Sequence, residues 1–266
     1  MGGGGVGLLV LRMTATGGAC GRDVKRMMMS IVRHVAAVHA AATPEGAQLA
    51  DMLFWGRPDV PADHKRAFEL ASAGAGMGCV HSKGVLGCCY AYGRGVAEDR
   101  AKGLELGRES AAAGSCMGQF VVGKCLYAGW GVAKDYVEAA RLYHLAAEQG
   151  LARAQSHLGQ MFYSGLGVAQ DYAEAALWYD LAAERGDRES QFKLGMMYEN
   201  GQGVHQDYVE AVQWYRLAAD QGDREAQFKM GMMYENGRGV ARNDKEAKRW
   251  YRIAAQNGHP EARENI

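Results

Sequence analysis

Eight histidines and six cysteines are the side chains in this sequence best suited to hold a metal ion or attack a substrate. Their spacing argues against both uses. No HxH or HExxH pair occurs, so no helix presents two imidazoles to one ion, and Cys20, Cys79, Cys88, Cys89, Cys116 and Cys125 contain no CxxC. The GxG pairs, such as Gly165 with Gly167, lack the third glycine of a dinucleotide fingerprint and follow a helical rather than a strand pattern. Asp99, Asp135, Asp171 and Asp207 remain as candidates for acid–base work, yet they recur thirty-six residues apart. A residue copied at one interval is explained by a structural duty. The sequence therefore predicts no catalytic residue, no metal and no cofactor.

That interval organises the chain. Gly87, Gly123, Gly159, Gly195 and Gly231 recur with the same spacing, and the stretch LGMMYENGQGVHQDYVEAVQWYRLAADQGD, residues 194–223, returns almost letter for letter from Met230. Such a period marks a stack of small units, each burying its apolar faces against its neighbours. The histidines share no position in it, which again argues against a repeated ligand set.

Within the unit ending at Gly222, Ser190, Leu194 and Tyr198 stand at i, i+4 and i+8 with Phe192 beside them, predicting a first helix, A. Gly201, Gly203 and Val204 predict a tight loop, and Asp207 with Glu210 a capping box that starts a second helix, B. Ala211, Trp214, Tyr215, Ala218 and Ala219 give helix B its buried face, and Gly222 ends it. The period places Trp178, Trp214 and Trp250 in the core between helices rather than in a ligand cage. A glycine inside a helix costs about 1 kcal/mol against alanine, so the five copies of the signature glycine predict close helix contact, with large aromatic side chains filling the space around it. Cys89 and Cys125 share the column of Met161, Met197 and Met233 and are expected as core thiols. Later units have no cysteine, which points to a reducing, cytoplasmic compartment.

The expected fold is an all-α solenoid of about six antiparallel hairpins. Residues 1–21 read as a disordered Gly-rich start and 44–78 as a degenerate first unit, followed by five in-phase units over 79–258 and a tail over 259–266. Over 22–43, Val24, Met27, Met28, Ile31, Val32 and Val35 predict a helix that caps the array. Lys25, Arg26 and Arg33 give it an alternative as a mitochondrial targeting helix. Lys plus Arg equals Asp plus Glu at 30 each, so no net field attracts nucleic acid, and no apolar run is long enough for membrane insertion.

Ala226, Gln227, Gly231, Tyr234, Gly237, Gly239 and Val240, with the columns above, resemble the Sel-1-like repeat family, relatives of tetratricopeptide repeats. The resemblance is strong from Gly78 to Gly258 and weak over the first unit, and in the last unit Asn243 and Asp244 replace the usual Asp-Tyr pair, predicting a weaker anchor for helix B. It implies a right-handed solenoid that serves as an adaptor or scaffold binding another protein, with the concave side lined by helix A. One enzymatic alternative also follows from it, a weak hydrolase of the β-lactamase-like cysteine-rich repeat type. The cysteine pairing of that type is missing, because Ala111, Ala147, Ala183 and Ala219 hold its late helix B position. The expected partner surface is a stripe on helix A comprising Val121, Lys124 and Ala128; His157, Gln160 and Ser164; Lys193, Met196 and Asn200; and Lys229, Met232 and Asn236.

Overall fold

The computed structural model describes residues 43–56 and 61–266. Among them it forms twelve α-helices and no strand, paired as six hairpins. These are α1 (Pro44–Trp55) with α2 (His64–Gly76), α3 (Val80–Tyr92) with α4 (Arg100–Ala112), and α5 (Cys116–Ala128) with α6 (Tyr136–Glu148). Then come α7 (Ala152–Ser164) with α8 (Tyr172–Glu184), α9 (Arg188–Asn200) with α10 (Tyr208–Asp220), and α11 (Arg224–Asn236) with α12 (Asp244–Gln256). Odd helices are helix A of each unit and even helices are helix B. The Gly-rich start and the helix expected over 22–43 lie outside the described residues, except that Thr43 accepts the amide of Gly46 and caps α1. Beyond α12 the chain makes a short 3-10 turn, Ala262–Asn265, with Ala262 buried.

Aspartate starts most of the second helices. Asp207 Oδ1 accepts the amides of Val209 at 2.8 Å and Glu210 at 3.2 Å, satisfying donors that the first turn leaves free. The reciprocal arm of the expected capping box does not form. Its donor is already used, because the Asp207 amide points to the carbonyl of Tyr198 at 3.0 Å and ties the loop to the end of helix A. Asn243 accepts two amides at 3.1 Å, so the last helix starts with the same bonds but without the charge.

Two loop glycines set how units meet. Gly201 ends α9 in the left-handed region at φ 67°, and Gly203, at φ 69°, lies so close to the previous unit that a methyl group there would overlap the carbonyl oxygen of Tyr172. The signature glycine does what its helix cost implied. A Cβ at Gly195 would lie 2.7 Å from the ring of Tyr215, and Gly123, Gly159 and Gly231 face Tyr143, Tyr179 and Tyr251 in the same way. These four tyrosines are among the largest fully buried or nearly fully buried side chains, whereas Trp178 and Trp214 are only half-buried and Trp250 is 9% exposed. The expectation that tryptophan occupies the inter-helix core holds for Trp250 and is corrected for Trp178 and Trp214, which pack at its margin. Adjacent residues on a helix point about 100° apart, and the tyrosine holds the direction facing the glycine.

Sequence reasoning overlooked a polar ladder along the seam. Gln155, Gln191 and Gln227 donate to the carbonyls of Ala147, Ala183 and Ala219 in the preceding unit at 3.0–3.1 Å. Gln191 and Gln227 in turn accept from Gln221 and Asn257 at 2.7 and 2.8 Å. The period held the signal, since glutamine recurs there every thirty-six residues. Cys88, Cys89 and Cys125 are fully buried, and burial pushes Cys89 up to about 12 and Cys125 up to about 11. Burial thus favours the protonated thiol, the less nucleophilic form.

Candidate functional site

Helices A of adjacent units pack on one another from α1 to α3 and from α3 to α5. Trp55 on α1 even reaches Phe120 on α5, at 5.8 Å between ring centroids, and Arg153 on α7. Contacts that skip whole units need the inner side of a curve, which places helices A of the first four units on that side.

Along helices A the expected stripe divides into groups with and without bonding partners. Lys193 is half-buried and makes no ion pair among the described residues, and Asn200 is exposed at the end of α9. Met196 and Met232 are half-buried, Met196 packing at the margin of the core. Lys229 is not free. Its Nζ donates to Glu199 Oε2 at 2.9 Å, and the same oxygen accepts the hydroxyl of Tyr215. Asn236 turns back to the carbonyl of Met232, while Gln160 donates to the Ser164 hydroxyl and accepts from Tyr179. Val121 is fully buried, contrary to expectation. The cause lies in α4, where Gly107 replaces the tyrosine of later units and Val121 fills the vacated space.

Lys124 and His157 are brought together across α5 and α7, with Lys124 Nζ 3.2 Å from His157 Nε2. His157 is packed by Phe120 and Tyr143 at ring distances of 5.5 and 5.1 Å. Burial, then the charges of Lys124 and Arg153, hold its pKa down at about 3, so the imidazole is neutral and accepts the lysine's hydrogen bond. An unfolded histidine takes up its proton below about 6.5 and the folded one does not, so stability is intact above that value and falls as pH drops towards 3. The expected slope from this residue is up to about 1.4 kcal/mol per pH unit. Urea unfolding at pH 7.5 and pH 5 should show a larger loss for the wild type than for His157→Gln; equal losses would assign the acid limb elsewhere.

Beside this pair lies a cation–aromatic cluster missing from the sequence reading. The Arg153 guanidinium lies 4.0 Å from the Trp55 ring, and Arg94 lies over Phe54, Trp55 and Tyr92 at 5.1–5.5 Å. Tyr92 meets Trp130 edge-on at 5.2 Å, and Lys124 Nζ is 6.0 Å from Trp130. Arg94 and Trp130 share one column of the repeat, but Trp55, Tyr92, Lys124 and Arg153 stand in others, so the period alone could not assemble them. Among the described residues, no group of three His, Cys, Asp or Glu side chains is placed to hold a metal ion.

The hairpins, the tyrosine-under-glycine packing and the seam ladder define an all-α repeat solenoid. A family model described as the Sel1 repeat matches residues 47–79, 85–115, 116–151, 152–187, 188–223 and 224–259, and the chain belongs to the Sel1 repeat family. A Sel1 repeat protein of Oxalobacter formigenes is similar at 29% identity and a TM-score of 0.66, over 83% of this chain and 86% of that one. The protective antigen c5321 of uropathogenic Escherichia coli, which displays an SLR fold, is 35% identical with a TM-score of 0.65. It aligns over 82% of this chain, which spans 47% of the antigen. No curated protein matches the chain. Sel1 repeats commonly mediate protein–protein interaction and are generally non-catalytic. Among the described residues no helix is long and apolar enough to cross a membrane.

Proposed function

We propose that this protein is a non-catalytic, cytoplasmic adaptor whose inner face binds a polypeptide segment and brings it into an assembly. The observation that carries this reading is the contrast on helix A between columns fixed by packing and the Lys193, Met196, Asn200 and Met232 positions, which present charged, polar and adaptable apolar groups on the inner face. The lack of cysteine in the later copies of the unit favours the reducing compartment. The buried thiols, with pKa values raised by burial, support a non-catalytic role.

Affinity capture followed by mass spectrometry tests the surface. Lys193→Glu is the informative change, since Lys229→Glu would set a second carboxylate against Glu199 and disturb the fold. Capture of the partner should fall about tenfold or more with Lys193→Glu, with unchanged circular dichroism and melting temperature. It should persist with Val209→Glu, which alters an exposed site on helix B. The opposite pattern would move binding to the outer face.

A further inference from the structure

Arg94, Lys124 and Arg153 come from three successive units and meet no carboxylate among the described residues within ion-pair distance. The Arg153 side chain makes no hydrogen bond or ion pair there, although burial lowers its pKa and the charges of Asp187 and Asp51 raise it. Arg94 donates only to the carbonyl of Phe54 at 3.4 Å, and Lys124 only to a neutral imidazole. Trp55 Nε1 and the Tyr143 hydroxyl are buried without a partner. Aromatic rings lie within 4.0–5.5 Å of the two guanidinium groups and accept no conventional hydrogen bond from them, so most of the N–H donors have no partner. Asp187 and Asp51 act on Arg153, and Glu189 on Lys124, through space without reaching bonding distance, so the N–H donors stay open to an anion that can touch them.

We infer that Arg94, Lys124 and Arg153, walled by Trp55, Tyr92 and Trp130, form a binding site for an acidic peptide segment whose carboxylates alternate with aliphatic side chains. This rests on the proposed binding of a polypeptide to the inner face and names the chemistry of that polypeptide. Two features select a peptide over a compact anion. The cations are distributed from the loop after α3 to α7 around several rings rather than focused on one point, which suits carboxylates spaced along an extended chain. The half-buried rings between them offer apolar surface that aliphatic neighbours would cover.

The test uses the full chain and a fluorescein-labelled peptide of Glu-Glu-Leu repeats, compared with its Gln-Gln-Leu counterpart by fluorescence anisotropy. The wild type should prefer the Glu peptide by about tenfold or more, with the preference weakening as salt rises. Arg153→Gln and Lys124→Gln should each remove most of that preference. The amide introduced by Lys124→Gln can still donate to His157, so this variant decides the matter if Arg153→Gln does not fold. Equal binding of the two peptides by the wild type, or an undiminished preference in Lys124→Gln, overturns the inference. Displacement of the Glu peptide by inorganic phosphate at lower concentration than by acetate overturns it in favour of a phosphate site. Failure here with partner capture still lost in Lys193→Glu would leave the adaptor reading standing, whereas capture unaffected by Lys193→Glu would remove the reading itself.

Discussion

Tyr215→Ala is expected to destabilise the protein by about 3 to 5 kcal/mol, the usual cost of emptying a large aromatic site in a core. The ring is fully buried against Gly195, and its hydroxyl is one of two donors to Glu199. Trp214→Ala, one residue away, should cost only about 1 to 2 kcal/mol, because its half-buried indole returns less apolar area to water. Tyr215→Phe separates the ring from its hydroxyl and should cost about 1 kcal/mol, with Lys229 still paired to Glu199. Chemical denaturation of the three variants measures the series. A tryptophan effect equal to or larger than the tyrosine effect would contradict a core centred on the tyrosines.

Gly203→Ala should be comparably damaging for a different reason. Its backbone sits at φ 69°, where a side chain costs about 1 to 2 kcal/mol, and the added methyl would meet the Tyr172 carbonyl of the neighbouring unit, adding an overpacking cost of about 1 to 3 kcal/mol. Gly222→Ala provides the comparison. That glycine has φ 84° but open space around its Cβ position, so only the backbone contribution applies. Melting curves should show Gly203→Ala well below Gly222→Ala; coincident curves would mean that the loop can retreat from Tyr172 without loss.

The sequence was most informative where a duty repeats. The interval, the helix pair, the aspartate caps and the crowded signature glycine were all visible because six hairpins solve the same packing problem. Resolution of neighbouring residues was poorer. Trp214 and Tyr215 both fit an apolar face, and only the position of the facing backbone distinguishes them. Val121 was misplaced because its environment depends on Gly107 in the preceding unit, a departure from the pattern that had to be read in three dimensions. Lys229 looked free because its partner Glu199 lies thirty residues earlier on another helix. The cation–aromatic cluster was invisible for the same physical reason in stronger form: Trp55, Arg94, Lys124 and Arg153 become neighbours only through the curvature of the whole array.

The seam between α10 and α11 is built from the same parts as the seam between α8 and α9. Gln191 and Gln227 bind equivalent carbonyls, and Gly203 and Gly239 seat on equivalent helix starts. A duplicate of residues 188–223 inserted after Asp223 would thus find a ready complement on each side. Lengthening requires no new joint, because every added hairpin inherits one. In molecules built this way, gene duplication alters reach before it alters chemistry, and the span of partner that can be embraced becomes adjustable in whole-module steps.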